Sequence, residues 1–145
     1  MRPAHGALAL DPTARALIAA PNVAHVVTRR GGGRVRVVVT WVAHDGARIL
    51  LNSRADRHWL RDVRSDPHVV VTVVDLVDQH RYVTVEGRVA SETGGHQAEH
   101  AYRRLAEAYW GGEAAARHLP TGERVELAVT PDRVRVYAAV KPPAA

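Results

Sequence analysis

Apolar residues in this chain alternate with polar ones in short runs separated by glycine, proline and aspartate, the pattern of antiparallel strands rather than of long helices. Val23 to Thr28 and Val35 to Ala43 are valine-rich runs, and Arg30-Gly31-Gly32-Gly33-Arg34 between them has the glycines a hairpin loop requires. In the second run Val35, Val37, Val39, Trp41 and Ala43 fall on one face, and Arg36, Val38, Thr40 and Val42 on the other. Asp45-Gly46 is a type I′ hairpin signal leading into Arg48 to Asn52. His68 to Asp75 is a further strand. Arg81 to Ser91 is the best-defined one, with Val83, Val85 and Val89 inward and Tyr82, Thr84, Glu86 and Arg88 outward. Within it Gly87 permits a bulge or a close backbone approach. Arg124 to Val129 and Arg133 to Ala139, separated by Thr130-Pro131-Asp132, complete the set.

Three helices interrupt the strands. Asp11-Pro12-Thr13-Ala14 supplies an acidic N-cap and a proline at the first helical position, and Pro21 stops that helix after Ala20. A second lies in the basic segment Asn52 to Pro67, where Asp66-Pro67 ends it. From His96 to Tyr109 the spacing turns helical, with Ala98, Ala101, Tyr102, Leu105, Ala108 and Tyr109 on one stripe. Gly111-Gly112 and Pro120-Thr121-Gly122 then bracket a loop. About seven hairpin-linked strands with three inserted helices predict a mainly β fold, a closed or half-closed antiparallel barrel rather than a doubly wound sheet. Residues 1–145 read as one domain, with 1–10 and 141–145 as frayed tails.

Composition narrows the chemistry. No apolar run approaches the length of a membrane span and no signal peptide is evident, so a soluble cytoplasmic protein with no membrane partner is expected. The absence of cysteine excludes disulfides, thiolate nucleophiles and zinc-thiolate sites, so any redox chemistry must come from a bound cofactor. Twenty basic residues against 15 acidic ones give a net charge of +5, and Lys141 is the only lysine. The arginines are scattered rather than massed, so no nucleic-acid partner is expected. His96 and His100 share a helix face at i, i+4, but Gln97 stands where a zincin glutamate would be and no third ligand is evident; no metal is expected. The triple glycine lacks the lysine and Ser/Thr of a P-loop, and no serine sits in a Gly-x-Ser-x-Gly setting.

The segment from Asn52 to Pro67 carries the strongest functional signal. It places Arg54, Arg57, Arg61 and Arg64 where a strand hands over to a short helix. Unpaired N–H groups of a first helical turn and nearby guanidiniums together suit an anionic ligand.

Six stretches in order resemble the split-barrel flavin and deazaflavin oxidoreductases related to pyridoxamine phosphate oxidase, in particular the small members that use coenzyme F420. They are Ala20-Pro21-Asn22-Val23-Ala24, Val39-Thr40-Trp41-Val42, Arg57 to Pro67, Arg81 to Val89, Glu99 to Gly111, and Gly122-Glu123-Arg124-Val125. The resemblance implies an FMN-binding-type split barrel, a homodimer, and a cofactor in a groove between subunits. It implies that Val39, Thr40 and Trp41 line the ring site. Asn52, Ser53 and Arg57 would contact the ribityl and phosphate part, and Arg61 would support it. It further implies hydride transfer between reduced F420 and an unsaturated small-molecule substrate. The chain departs from the family pattern at Trp59, where most deazaflavin-using relatives carry a lysine, and at Asp62, where they carry an asparagine. Trp59 could serve a cofactor only by stacking or by its indole N–H. FMN therefore stands as the alternative cofactor, and a cofactor-less small-molecule binding protein as the third reading. Asp78-Gln79-His80 replaces the family's Asn-Pro-Tyr lead-in, and His80 and Tyr82 are the candidate proton donors near the ring.

Overall fold

Trp41 and Val42 decide the shape of the molecule. The computed structural model describes residues 10–118 and 120–137. Helix α1 (Pro12–Ala19) leads to strands β1 (Ala24–Arg29) and β2 (Val35–Thr40), and after only these two residues the chain enters β3 (Ala43–His44). It continues through β4 (Ile49–Arg54), α2 (His58–Ser65), β5 (His68–Val74), β6 (Tyr82–Thr93), α3 (Gly95–Trp110), α4 (Gly112–Arg117) and β7 (Arg124–Tyr137). The seven strands form one sheet in the order β2-β1-β5-β6-β7-β4-β3, with every pairing antiparallel. Strands β2 and β3 are its opposite edges, yet three residues of chain span at most about 11 Å. The sheet must therefore curl until its edges meet at Trp41-Val42, which produces the expected split barrel.

The core fills the inside of the curl. Val26, Val71, Val85, Ile49, Leu51 and Leu127 are fully buried there, and Ile18 of α1 with Trp59 and Leu60 of α2 close it from outside the sheet. Asp11 caps α1 by accepting the Ala14 N–H at 2.7 Å. Asp62 fastens α2 to the sheet by accepting from the Thr28 hydroxyl and from Arg36 Nε, each at 2.8 Å. Burial alone would raise the Asp62 carboxyl, but the Arg36 and Thr28 hydrogen bonds outweigh it and hold it below the usual carboxylate range.

Four local expectations are corrected. The run Val35 to Ala43 is two strands, because the sheet edge ends at Thr40 and the chain crosses the seam. The two runs after Arg124 are one strand: β-bulges in the β6–β7 pairing, at Glu86/Gly87 and Val89/Ser91, let Pro131 sit opposite Gly87 without breaking the strand. Among the described residues four α-helices are present rather than three, because the expected loop after Gly111 contains α4. At the β3–β4 hairpin, Asp45 N–H bonds Arg48 C=O at 3.1 Å, so the two tip residues are Gly46 and Ala47. Of these only Gly46 has positive φ, +96°, whereas a type I′ turn needs it at both, and the Arg48 N–H is taken by Asp45 Oδ1 at 2.7 Å. Leu10, placed in the N-terminal tail by sequence, is buried at 1 % exposure. The rest of both expected tails lies outside the described residues, as does Ala139 at the predicted end of the last strand.

Candidate cofactor cavity

The end of β4 presents two consecutive buried polar residues, Asn52 and Ser53, and each of their side-chain polar atoms has a partner within the fold. Asn52 Nδ2 donates to the Ala98 carbonyl of α3 at 2.9 Å, and its Oδ1 accepts from Arg124 Nε of β7 at 2.9 Å. The Ser53 hydroxyl donates to the Arg54 carbonyl at 2.9 Å and accepts the Trp59 indole N–H at 3.2 Å. Trp59, 3 % exposed, belongs to the core, and its indole N–H is already used. Asn52 and Ser53 thus tie neighbouring elements together, Asn52 keeping a second Nδ2 N–H, and Trp59 has no free donor for a ligand.

A cavity of about 260 Å³ opens beside Asn52, at the seam. Val39, Thr40 and Trp41 line it together with Asn52, Tyr102 and Arg124. Trp41 stacks on Tyr109 with ring centroids 5.0 Å apart and meets the edge of Trp110 at 4.6 Å. The Tyr109 hydroxyl donates to the Asn22 carbonyl and accepts the Val42 N–H at 3.0 Å, latching α3 across the closed edges. Burial raises the Tyr109 phenol above its ordinary value, against the Val42 hydrogen bond, so the latch stays protonated.

Cations gather at one end. Arg124 lies 4.4 Å over the Tyr102 ring and directly opposite Arg54 in the β4–β7 register. Arg54 is paired with Asp56 at 2.7 Å, whereas neither Arg57 nor Arg124 has a carboxylate partner among the described residues. Burial, with the nearby charges of Arg54 and Arg57, draws the Arg124 guanidinium below its ordinary pKa despite Tyr102. Arg57 is the N-cap of α2 and leaves the first-turn N–H groups without a side-chain cap. Arg61 follows one turn later, and both are exposed.

The structure therefore brings Val39, Thr40, Trp41 and Asn52 together, with Arg57 and Arg61 outside the cavity lining and Ser53 and Trp59 behind it. His80 is exposed in the β5–β6 loop, and Tyr82 stacks on Tyr137 at 4.4 Å on the outer face of the sheet. Neither lines the cavity. Sequence reasoning gave Arg124 and Tyr102 no site role: Tyr102 reads as helix stripe, and Arg124 becomes a neighbour of Asn52 only through a strand pairing 72 residues apart in sequence. His96 and His100 are both exposed on α3. A second cavity of about 330 Å³ lies across Leu105 and Tyr109, between α3 and the β3–β4 hairpin.

A family model described as pyridoxamine 5′-phosphate oxidase matches residues 10–138. The chain belongs to that family. Among solved structures, one described as an F420 reductase is 24% identical, with 83% of this chain and 94% of that one covered at a TM-score of 0.73. A conserved hypothetical protein of Mycobacterium tuberculosis is 17% identical over 100% of both chains at 0.69. A flavocytochrome of Azotobacter vinelandii is 16% identical, covering 94% of this chain and 71% of its own at 0.69. No curated protein matches. At these identities the structures establish the fold of this pyridoxamine 5′-phosphate oxidase family member, and redox proteins recur among them. Among the described residues no helix is long and apolar enough to cross a membrane.

Proposed function

We propose that this chain is a homodimeric, cytoplasmic oxidoreductase that binds reduced F420 and passes a hydride to an unsaturated small molecule. The observation that carries the reading is the convergence of Val39, Thr40 and Trp41 with Asn52 and Arg124 around one cavity at the barrel seam. Its wall is apolar and aromatic on one side and cationic on the other, which suits a planar ring carrying a phosphate. When bound, the reduced deazaflavin supplies the hydride. The chain supplies position: Thr40 and Trp41 border the ring site, Tyr109 holds the seam shut, and Arg57 and Arg61 of α2, exposed outside the cavity lining, would meet the phosphate end. His80 and Tyr82 lie outside the cavity, so within one subunit neither protonates a substrate there.

A volume of about 260 Å³ is below the roughly 300–1,000 Å³ of most small-molecule sites. A second copy completing the groove accounts for the difference. The outward-facing row Val35, Val37 and Val39, exposed at 59%, 58% and 56%, supplies an apolar surface for it.

FMN is the second reading, favoured by Trp59, whose buried indole fills the position where deazaflavin-using relatives carry a lysine. Side-by-side titration distinguishes the two: F420 binding by fluorescence quenching supports the first, and flavin absorbance in the purified protein supports the second. Binding of neither at micromolar concentration sinks both and leaves a cofactor-less small-molecule binding protein.

A further inference from the structure

Arg124 occupies a costly position for a guanidinium. It is half-buried, it faces another arginine directly across the β4–β7 pairing, and no carboxylate among the described residues lies within ion-pair distance of it. Like charges directly opposite one another destabilise a sheet, and a buried cation without a counter-charge costs more. The fold nevertheless fixes it on both sides. Asn52 takes Nε at 2.9 Å while being anchored to the Ala98 carbonyl, and the Tyr102 ring supports the guanidinium face at 4.4 Å. With Nε and one face committed, the two terminal nitrogens retain their N–H donors in a fixed fork, beside the cavity that Trp41 and Tyr102 line.

We propose that Arg124, oriented by Asn52 and Tyr102 and flanked by Arg54 and Arg57, forms an oxyanion subsite for the phosphoryl group of the ligand whose ring occupies this cavity. The subsite is carried by β7 and not by the α2 lysine position that Trp59 fills. A bound phosphoryl group supplies the counter-charge that Arg124 lacks among the described residues, so the fork is arranged for the ligand in advance. The proposal rests on the cofactor reading for the identity of the ring, but the anion subsite is testable without it.

The experiment compares calorimetric titrations of wild type, Arg124→Gln and Arg124→Lys. The ligands are F420, FMN, their phosphate-free counterparts (the ribityl deazaflavin and riboflavin), and inorganic pyrophosphate. Arg34→Gln, in the β1–β2 loop at the far end of β2, controls for loss of one positive charge. Arg124→Gln is expected to weaken the phosphorylated cofactor at least tenfold and its phosphate-free counterpart less than twofold. Arg124→Lys should recover part of that loss, and Arg34→Gln should bind like wild type. An unchanged ratio of phosphorylated to phosphate-free affinity in Arg124→Gln overturns the subsite while leaving the cofactor reading intact. If no cofactor binds wild type, pyrophosphate decides. Salt-sensitive binding that Arg124→Gln abolishes upholds the subsite without the cofactor reading, and absence of wild-type binding overturns it. Thermal melts check folding, and if Arg124→Gln does not fold, Arg124→Lys carries the same comparison.

Discussion

At the scale of single residues, Trp59 and Asp62 of α2, where the resemblance to deazaflavin-using proteins implies a lysine and an asparagine, both make contacts that hold the fold together. Trp59 with Leu60 and Val63 forms the buried stripe of that helix, and its N–H ends on Ser53. Trp59→Lys, which places there the lysine that the resemblance implies, should destabilise the fold by roughly 3 kcal/mol or more, because it buries an ammonium with no partner. Trp59→Phe keeps most of the apolar volume and should cost about 1–2 kcal/mol, measured by urea unfolding. Improved F420 affinity in a folded Trp59→Lys protein would contradict this placement. For Asp62, the folded-state pKa lies below the unfolded one, so its contribution is present above about pH 4 and disappears as pH falls through the folded value. Asp62→Asn should therefore cost on the order of 1–2 kcal/mol at pH 7. The gap to wild type in urea midpoints should close on acidification below pH 4, and a gap that stays constant with pH would sink the assignment.

Among the elements, the strands with one buried face were readable from sequence because inward valines alternate with polar residues, as Val83 and Val85 do against Thr84 and Glu86. The end of β2 was not readable, since apolar alternation continues through Trp41 and Ala43 and only barrel closure makes the chain change edges there. The unbroken β7 was hidden for a different reason. Pro131 reads as a breaker, and the feature that accommodates it, Gly87, lies on another strand. A Cβ on Gly87 would sit 2.5 Å from the Thr130 carbonyl oxygen and 2.9 Å from Val129 Cγ1. Gly87→Ala should accordingly destabilise by about 1–3 kcal/mol, read as a lowered urea midpoint. A neutral result would mean that the strands do not approach so closely. The candidate site divides along the same line. Val39-Thr40-Trp41 and Asn52 were visible as local stretches, whereas Arg124 and Tyr102 join them only through strand register and the docking of α3.

For the whole molecule, the decisive property is the outer face of the sheet. Val35, Val37 and Val39 on β2 stand beside Arg29, Val27 and His25 on β1, and the stacked pair Tyr82 and Tyr137 lies further along the same face. Glu86 and Arg133 sit 3.8 Å apart there, so the apolar part of the face is concentrated in the valine row of β2. The exposed valine row, with no helix among the described residues packed on it, suits a second copy placed so that the seam cavity lies at the junction. Val37→Glu puts a carboxylate in the middle of the valine row without touching the core. The wild-type chain should then sediment as a dimer of the 15.8 kDa subunit. The variant should sediment as a monomer whose melting temperature falls because the stabilisation from association is lost. If the groove is shared between subunits, the monomer should also lose cofactor affinity although its own Arg124 and Trp41 are unchanged. A dimeric Val37→Glu protein would refute this face as the interface, and a monomer that binds cofactor like wild type would show each cavity to be complete by itself.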